Sequence, residues 1–555
     1  MNRVFKTKWS AAHQQYVVID EHHATKGKAS KSAVAIAVAA FMMAAGAQAA
    51  YMDPNPNISS ASVAEAQRAF ETAEYNADWG LKAMHASKAY ALGFTGKGVA
   101  VAVMDSGALL SHSELSGERF DAVEHSGKYS STGNHYQQGA NGVGDEFGNG
   151  DYVAGKDFKV DGNFMPHVND THGTHVTGTV GANKDGQGMH GVAFDANIFV
   201  GNSGATDNNN YGPFQDYNFY YEGWSALANK VRDKNGTLED GTTLRGGVIN
   251  NSFGTNIRYT AKGASLPVNN VRESEFEYFL FKKNPNPNGK DFVDAAWDAI
   301  QDKNVVQIFT TGNRDMKNPY YRPLYPYFNP DAEDQWIAVT GLKQLDTTDT
   351  NGNPKYDYWY GVNKVGDAKW WTVAAPGAKI YSSIVVDDHY VASDANHKLG
   401  DAGYATFGGT SMAAPHVAGA MAVLMQRYPD MTAPQVREVM FTTANHKNSD
   451  GSNFDSWSVG ENEVDPLFGW GVPDLDKGMY GPGQLLKNFE YQIREGNLDV
   501  WSNNIVQDAL EQRKAEDKKW KEEIKYCLDD SGKVVASKGS SSKPPSLSDG
   551  GSSFV

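Results

Sequence analysis

The chain has 555 residues, a formal net charge of −16 and a single cysteine, Cys527. That length permits a large core. The acidic balance argues against a nucleic-acid partner, and one cysteine excludes an intramolecular disulfide.

In chain order, the first 49 residues read as an extended signal peptide. They begin long, polar and positive (MNRVFKTKW…), continue with the apolar run AVAIAVAAFMMAA and end on AQA at 47–49. The run is too short to span a bilayer as a mature anchor, and AQA fits a signal-peptidase site. Residues 50–78 form a short leader segment.

From residue 79 to 483, apolar strand-like runs (VAVAVM, NIFVG, GVIN, VVQIFT, WIAVTG) alternate with helical stretches (WSALANKVRD, FVDAAWDAIQDK, APQVREVMFTTA). This alternation predicts an α/β fold, a parallel sheet between two helical layers. Polar or aromatic stretches read as surface insertions. They are GATDNNNYGPFQDYNFYYEG from Gly204, and the runs 255–290, 344–369 and 385–401. Residues 484–555 hold a charged, solvated helix, then a Ser/Gly/Pro-rich flexible tail.

Three glycine-rich segments carry reactive side chains. VAVAVMDSG ends a buried strand on Asp105, at the ligand-binding edge of such a sheet. THGTHVTGT puts His172 at a helix start. GGTSMAAPHVAGA puts Ser411 at another, with Pro415 tolerated in the first turn. A serine hydroxyl needs a base to become a nucleophile. Histidine can be that base, and a carboxylate holds it in the useful tautomer. His172 and His175 lie one helical turn apart, as metal ligands can. The pattern is not HExxH, however, and no third ligand is evident, so His175 is read as structural. The α/β-hydrolase elbow GxSxG does not fit either, because Ala413 stands where it needs glycine.

These segments resemble the subtilisin-like serine peptidases, or subtilases, and the Asp-His-Ser order is that family's known order. The resemblance runs from about residue 79 to 480. It implies a three-layer α/β/α subtilisin-like sheet and a catalytic Asp105–His172–Ser411 triad. It also implies that FTTGN supplies Asn313 as an oxyanion donor, with Thr310, Thr311 and Gly312 along a substrate pocket. In VINNSFG, Ser252, Phe253 and Gly254 would pair with an extended polypeptide substrate by β-augmentation. No cofactor is required for that chemistry. The resemblance points to a structural calcium near Glu114 with the Asn183–Gly188 loop, and DEFGNGD from Asp145 to Asp151 is calcium-like in composition.

The opening MNRVFKTKW…VV resembles the extended signal peptide of Gram-negative autotransporters, and VWSNNI their junction toward a stem. Both imply transient partners in the export machinery and an outer-membrane translocator. The location implied is the periplasm, the cell surface or the medium. The function expected is secreted serine endopeptidase. The alternative is a non-catalytic adhesion protein on the same scaffold.

Overall fold

The computed structural model describes residues 5–10, 15–20, 63–133, 152–166, 169–204, 216–233, 246–253, 260–261, 264–265, 286–386, 398–480 and 507–525. Short apolar runs build its main sheet. In chain order these are β1 (Ala100–Asp105), β2 (Phe120–Ala122), β3 (Asn197–Asn202), β4 (Gly247–Asn251), β5 (Val305–Thr310), β6 (Trp336–Thr348), β7 (Pro354–Tyr358) and β8 (Thr372–Pro376). The strand order is β7-β6-β5-β4-β1-β3-β2, with β8 also paired to β6. Every pairing is parallel except β6 with β7. Strands β1, β4, β5 and β8 are buried throughout, as a sheet covered on both faces requires.

Helices supply the two covering layers. On one face lie α1 (His172–Gly181) and α4 (Thr410–Arg427), packed on each other and on the sheet. On the other lie α2 (Tyr217–Asp233) and α3 (Phe292–Asp298). The capped helix α5 (Ala433–Thr442) packs against α4. Helix α3 is shorter than its apolar pattern suggests. The Gln335 amide donates to the carbonyls of Ile300, Lys303 and Val305, which holds the chain after α3 in turns.

Two of the stretches read as surface insertions are corrected. Tyr217–Gly223 is the first half of α2, and Phe219 and Tyr220 are in the core. Within 344–369, Tyr358, Val362, Asn363, Val365 and Ala368 are buried. Tyr358 closes strand β7 fully buried, so this run belongs in part to the sheet, while Tyr360 beside it stays exposed.

The borders are held by polar contacts. Before the sheet, Phe70 and Tyr75 join the core beside Tyr90. Asp78 Oδ2 lies 2.8 Å from His416 Nε2, both fully buried. After it comes α6 (Gln507–Lys525), which is docked and not the solvated helix its charge suggested. Arg513 binds Glu333 through two nitrogens at 2.8 and 2.9 Å, Glu516 binds Lys369 at 2.7 Å, and Gln512 bonds both backbone groups of Val464.

This docking rests on charge-assisted hydrogen bonds, since Ala509 is the fully buried apolar contact among the described residues of α6. Arg513→Ala should therefore lower stability by about 1.5–3 kcal/mol, the range for a hydrogen bond to a charged group. Thermal melts of the full chain measure that loss, and limited proteolysis should cut α6 earlier in the variant. Equal cutting in both proteins would rule the docking out.

Candidate active site

Strand ends and helix starts meet along one edge of the sheet. At the end of β1, Asp105 is 2 % exposed. Its Oδ1 accepts Ser106 N–H at 2.8 Å and lies 2.8 Å from His172 Nδ1. His172 opens α1, where Asp170 Oδ1 accepts its backbone N–H at 2.7 Å. The two segments are locked together by Ser106, whose hydroxyl donates to Asp170 O and accepts from Gly173 N. With Nδ1 facing the carboxylate, Nε2 is the free end of the ring.

Several influences act on His172. Burial, the largest, pulls its pKa down. The charge and hydrogen bond of Asp105, helped by the charge of Asp170, outweigh burial and raise it to about 9. His175 lies one turn on and shows the reverse. Burial first, then the His172 charge, lowers it to about 3. Its Nε2 sits 3.0 Å from Ile380 O, and its ring stacks on Phe407 at 4.5 Å. The environment sorts two neighbouring histidines into a titratable one and a neutral packing one.

Ser411 is the second residue of α4, partly exposed at the head of a helix whose remaining length is almost wholly buried. Its hydroxyl donates to Ser252 O at 2.8 Å, so in this resting arrangement it is parked on the segment after β4. No hydrogen bond joins it to His172 among the described residues. Such contacts are often long before substrate binds.

Asn313, exposed, follows β5. Its Oδ1 accepts Thr410 N–H at 2.8 Å and the Thr410 hydroxyl at 3.0 Å. A backbone N–H must face oxygen, so the amide nitrogen of Asn313 is turned the other way. A side chain on Gly409 would begin 3.1 Å from that Nδ2 and 3.6 Å from Ser411 N. Glycine thus leaves open a small space flanked by two donors.

Ser252 and Thr311 are buried, Thr310 is 4 % exposed and Gly312 has φ 111°. Phe253 is half-buried, with the Arg322 guanidinium 4.7 Å from its ring centroid. Gly254 and Asp145–Asp151 lie outside the described residues. Sequence reasoning missed Thr410 and Asp170, which sit beside motif residues. It also missed Asn363, which no motif marks.

Of the calcium candidates, the Asn183 side chain is committed to Arg119, Ser113 and Ser116. Among the described residues no three acidic or histidine side chains gather to hold a metal. Glu114 and Glu74 nevertheless each keep one buried carboxylate oxygen, Oε2, without a partner. Burial raises both pKa values, that of Glu114 to about 7, with nearby Asp185 adding to the rise. Two unpaired oxygens short of positive charge fit a hard cation only if backbone oxygens complete its shell.

Residues 1–50 match the extended signal peptide of the type V secretion system, so the chain carries an export signal of that type. Among the described residues no helix is long and apolar enough to cross a membrane. An extracellular serine protease of Serratia marcescens is 31% identical over 472 residues, 79% of this chain and 36% of that protein. The autotransporter lipoprotein NalP of Neisseria meningitidis is 26% identical over 253 residues, 43% of this chain and 20% of NalP. The chain therefore spans about a third or less of these relatives' lengths. A solved structure of fervidolysin from Fervidobacterium pennivorans covers 73% of this chain and 46% of its own, at 22% identity and a TM-score of 0.43. The Subtilase family profile takes in residues 96–471, and with them β1, α1, β5 and the start of α4: the chain belongs to the subtilase family.

Proposed function

We propose that this chain is an exported serine endopeptidase acting through Ser411, His172 and Asp105. The observation that carries the reading is the buried Asp105 carboxylate held 2.8 Å from His172 Nδ1, at the sheet edge where Ser411 heads α4. The adhesion alternative gains no specific support, since such a protein needs no buried partner for a histidine.

The mechanism follows from these groups. Ser411 Oγ leaves the Ser252 carbonyl by rotation about its Cα–Cβ bond and attacks the scissile carbonyl carbon. Its proton passes to His172 Nε2. The imidazolium so formed is stabilised by Asp105. The carbonyl oxygen becomes an oxyanion and takes hydrogen bonds from Asn313 Nδ2 and Ser411 N–H. The C–N bond then breaks, and the leaving amine takes the proton from His172. Water, deprotonated by His172, attacks the acyl-enzyme ester; the C–Oγ bond then breaks, the acid product leaves, and His172 returns its proton to Ser411 Oγ. Substrate backbone would pair with the edge at Ser252, Phe253 and Gly254.

Ser411→Ala should abolish peptidase activity and all labelling by a fluorophosphonate, with the melting temperature nearly unchanged. Peptide mapping of the labelled protein locates the adduct. An adduct on another serine would refute the assignment.

The base works only when neutral, so kcat/KM should rise with pH through the pKa of His172 in the free enzyme. Because Asp105 raises that pKa, the acid limb should lie above the ordinary histidine value of 6.5, toward about 9. Asp105→Asn should cost about 10⁴ in kcat and move the limb of the residual activity downward. His175→Ala should lower stability while kcat stays within a few-fold. A limb at or below 6.5 in the unmodified enzyme would contradict the electrostatic account.

We also propose calcium near Glu74 and Glu114, where it would supply the missing positive charge and stabilise the fold without taking part in the chemistry. Added calcium should raise the melting temperature, and Glu114→Gln should weaken that response. No calcium response in the unmodified chain would remove the proposal.

A further inference from the structure

The loop that carries Asn313 needs an external clamp. It makes a sharp reversal, with Gly312 at φ 111° and Asp315 at φ 50° on either side of Asn313. Left-handed backbone is unfavourable for a residue with a side chain and persists where surroundings hold it. Asn313 itself is exposed. Its amide can face an oxyanion only if the backbone on both sides is fixed.

Asn363 supplies that fixing from a different part of the chain, between β7 and β8, and is fully buried. Before Asn313, its Nδ2 donates to Thr311 O at 2.8 Å and its own N–H donates to Gly312 O at 2.8 Å. After Asn313, its Oδ1 accepts Arg314 N–H at 2.9 Å and Met316 N–H at 3.2 Å. Its carbonyl accepts the hydroxyls of Thr311 at 3.3 Å and Thr340 at 3.1 Å, which ties the assembly back to β6. The bonds straddle one position, residue 313. A side chain on Gly312 would begin 2.5 Å from Asn363 Nδ2, so the approach depends on glycine there.

The chemistry explains why the residue is asparagine. One side-chain end must donate to a carbonyl and accept from two N–H groups at once. A carboxylate accepts only, an aliphatic side chain does neither, and glutamine is one methylene too long for a packed site.

We propose that Asn363 is the positioning residue for the oxyanion donor: it acts through Asn313 and does not touch substrate. The proposal rests on the oxyanion reading of Asn313. A displacement of about 1 Å in a catalytic group can cost about 10²-fold in rate. Asn363→Ala should therefore lower kcat by about 10–10²-fold with KM little changed, because the lost interaction belongs to the transition state.

The test is a double-mutant cycle in the full chain with a peptide substrate. Asn313→Ala alone should cost about 10²–10³ in kcat, as the equivalent loss does in subtilisin. In the Asn313→Ala background, Asn363→Ala should cost no more than about threefold, since nothing remains to be positioned. Asn318→Ala serves as the structural control. Asn318 is similarly buried and bonds Asp367 but none of residues 311–316, so its loss should lower the melting temperature and spare kcat. If Asn363→Ala fails to fold, Asn363→Ser, which keeps one hydrogen-bonding group, replaces it in the same cycle.

An equal kcat loss from the Asn363 substitution in both backgrounds would overturn the positioning role. So would a melting-temperature loss at unchanged kcat, or a raised KM at constant kcat. An Asn313→Ala variant with normal kcat is a separate failure: it would end the oxyanion reading and with it this role.

Discussion

One hydrogen bond, from Thr410 N to Asn313 Oδ1, joins the helix that bears Ser411 to the strand end that bears Asn313. The first N–H groups of any helix lack partners within it. In α4 one of them is capped by a side chain from another element, since Gly409 makes no side-chain cap of its own. The same bond turns the amide nitrogen of Asn313 away from Thr410, toward the space beside Ser411 N. Capping the helix and aiming a donor are thus a single interaction. The positive end of the helix dipole adds to the field there. Asp105, His172 and the Ser252 carbonyl are placed relative to this fixed point by the sheet.

The contrast between His172 and His175 shows how little the residue type decides. Both lie on one short helix, His172 half-buried at its start and His175 fully buried one turn on. Asp105 faces one, and backbone carbonyls face the other. A full negative charge outweighs desolvation, whereas a carbonyl dipole does not. His172 therefore stays titratable, while His175 stays neutral and ties α1 to the hairpin of Ile380–Val385 and Ala402–Phe407.

Much of this was legible in the sequence because it depends on local pattern. Unbroken apolar runs become buried parallel strands, and polar residues directly after them land on the sheet edge. Asp105 ends one such run and Asn313 follows another by three residues, and glycine beside a helix start marks His172 and Ser411. What was not legible depends on contacts across the chain. Tyr217–Gly223 looks polar and aromatic in isolation, yet its helix places Phe219 and Tyr220 in the core. Asn363 lies in a stretch with no periodicity, and its value comes from Thr311, Gly312, Arg314 and Met316, about fifty residues earlier. Glu74 stands forty residues before Glu114, outside any motif.

The same distinction governs the domain borders. Composition suggests an end to folding where apolar runs stop, near residues 79 and 483. The contacts extend further on both sides, through Asp78 to His416 and through Arg513 to Glu333. Each is a polar pair drawn from water, and removing one partner leaves the other short of its bond. His416 lies one turn beyond Met412, to whose carbonyl its Nδ1 is also bonded at 2.7 Å. Through that ring, Asp78 is fastened to the turn of α4 that carries Ser411. The segment before the sheet is thereby mechanically continuous with the nucleophile, and a catalytic unit cut at the edge of the apolar pattern would lose the partner of a buried histidine next to its reactive serine.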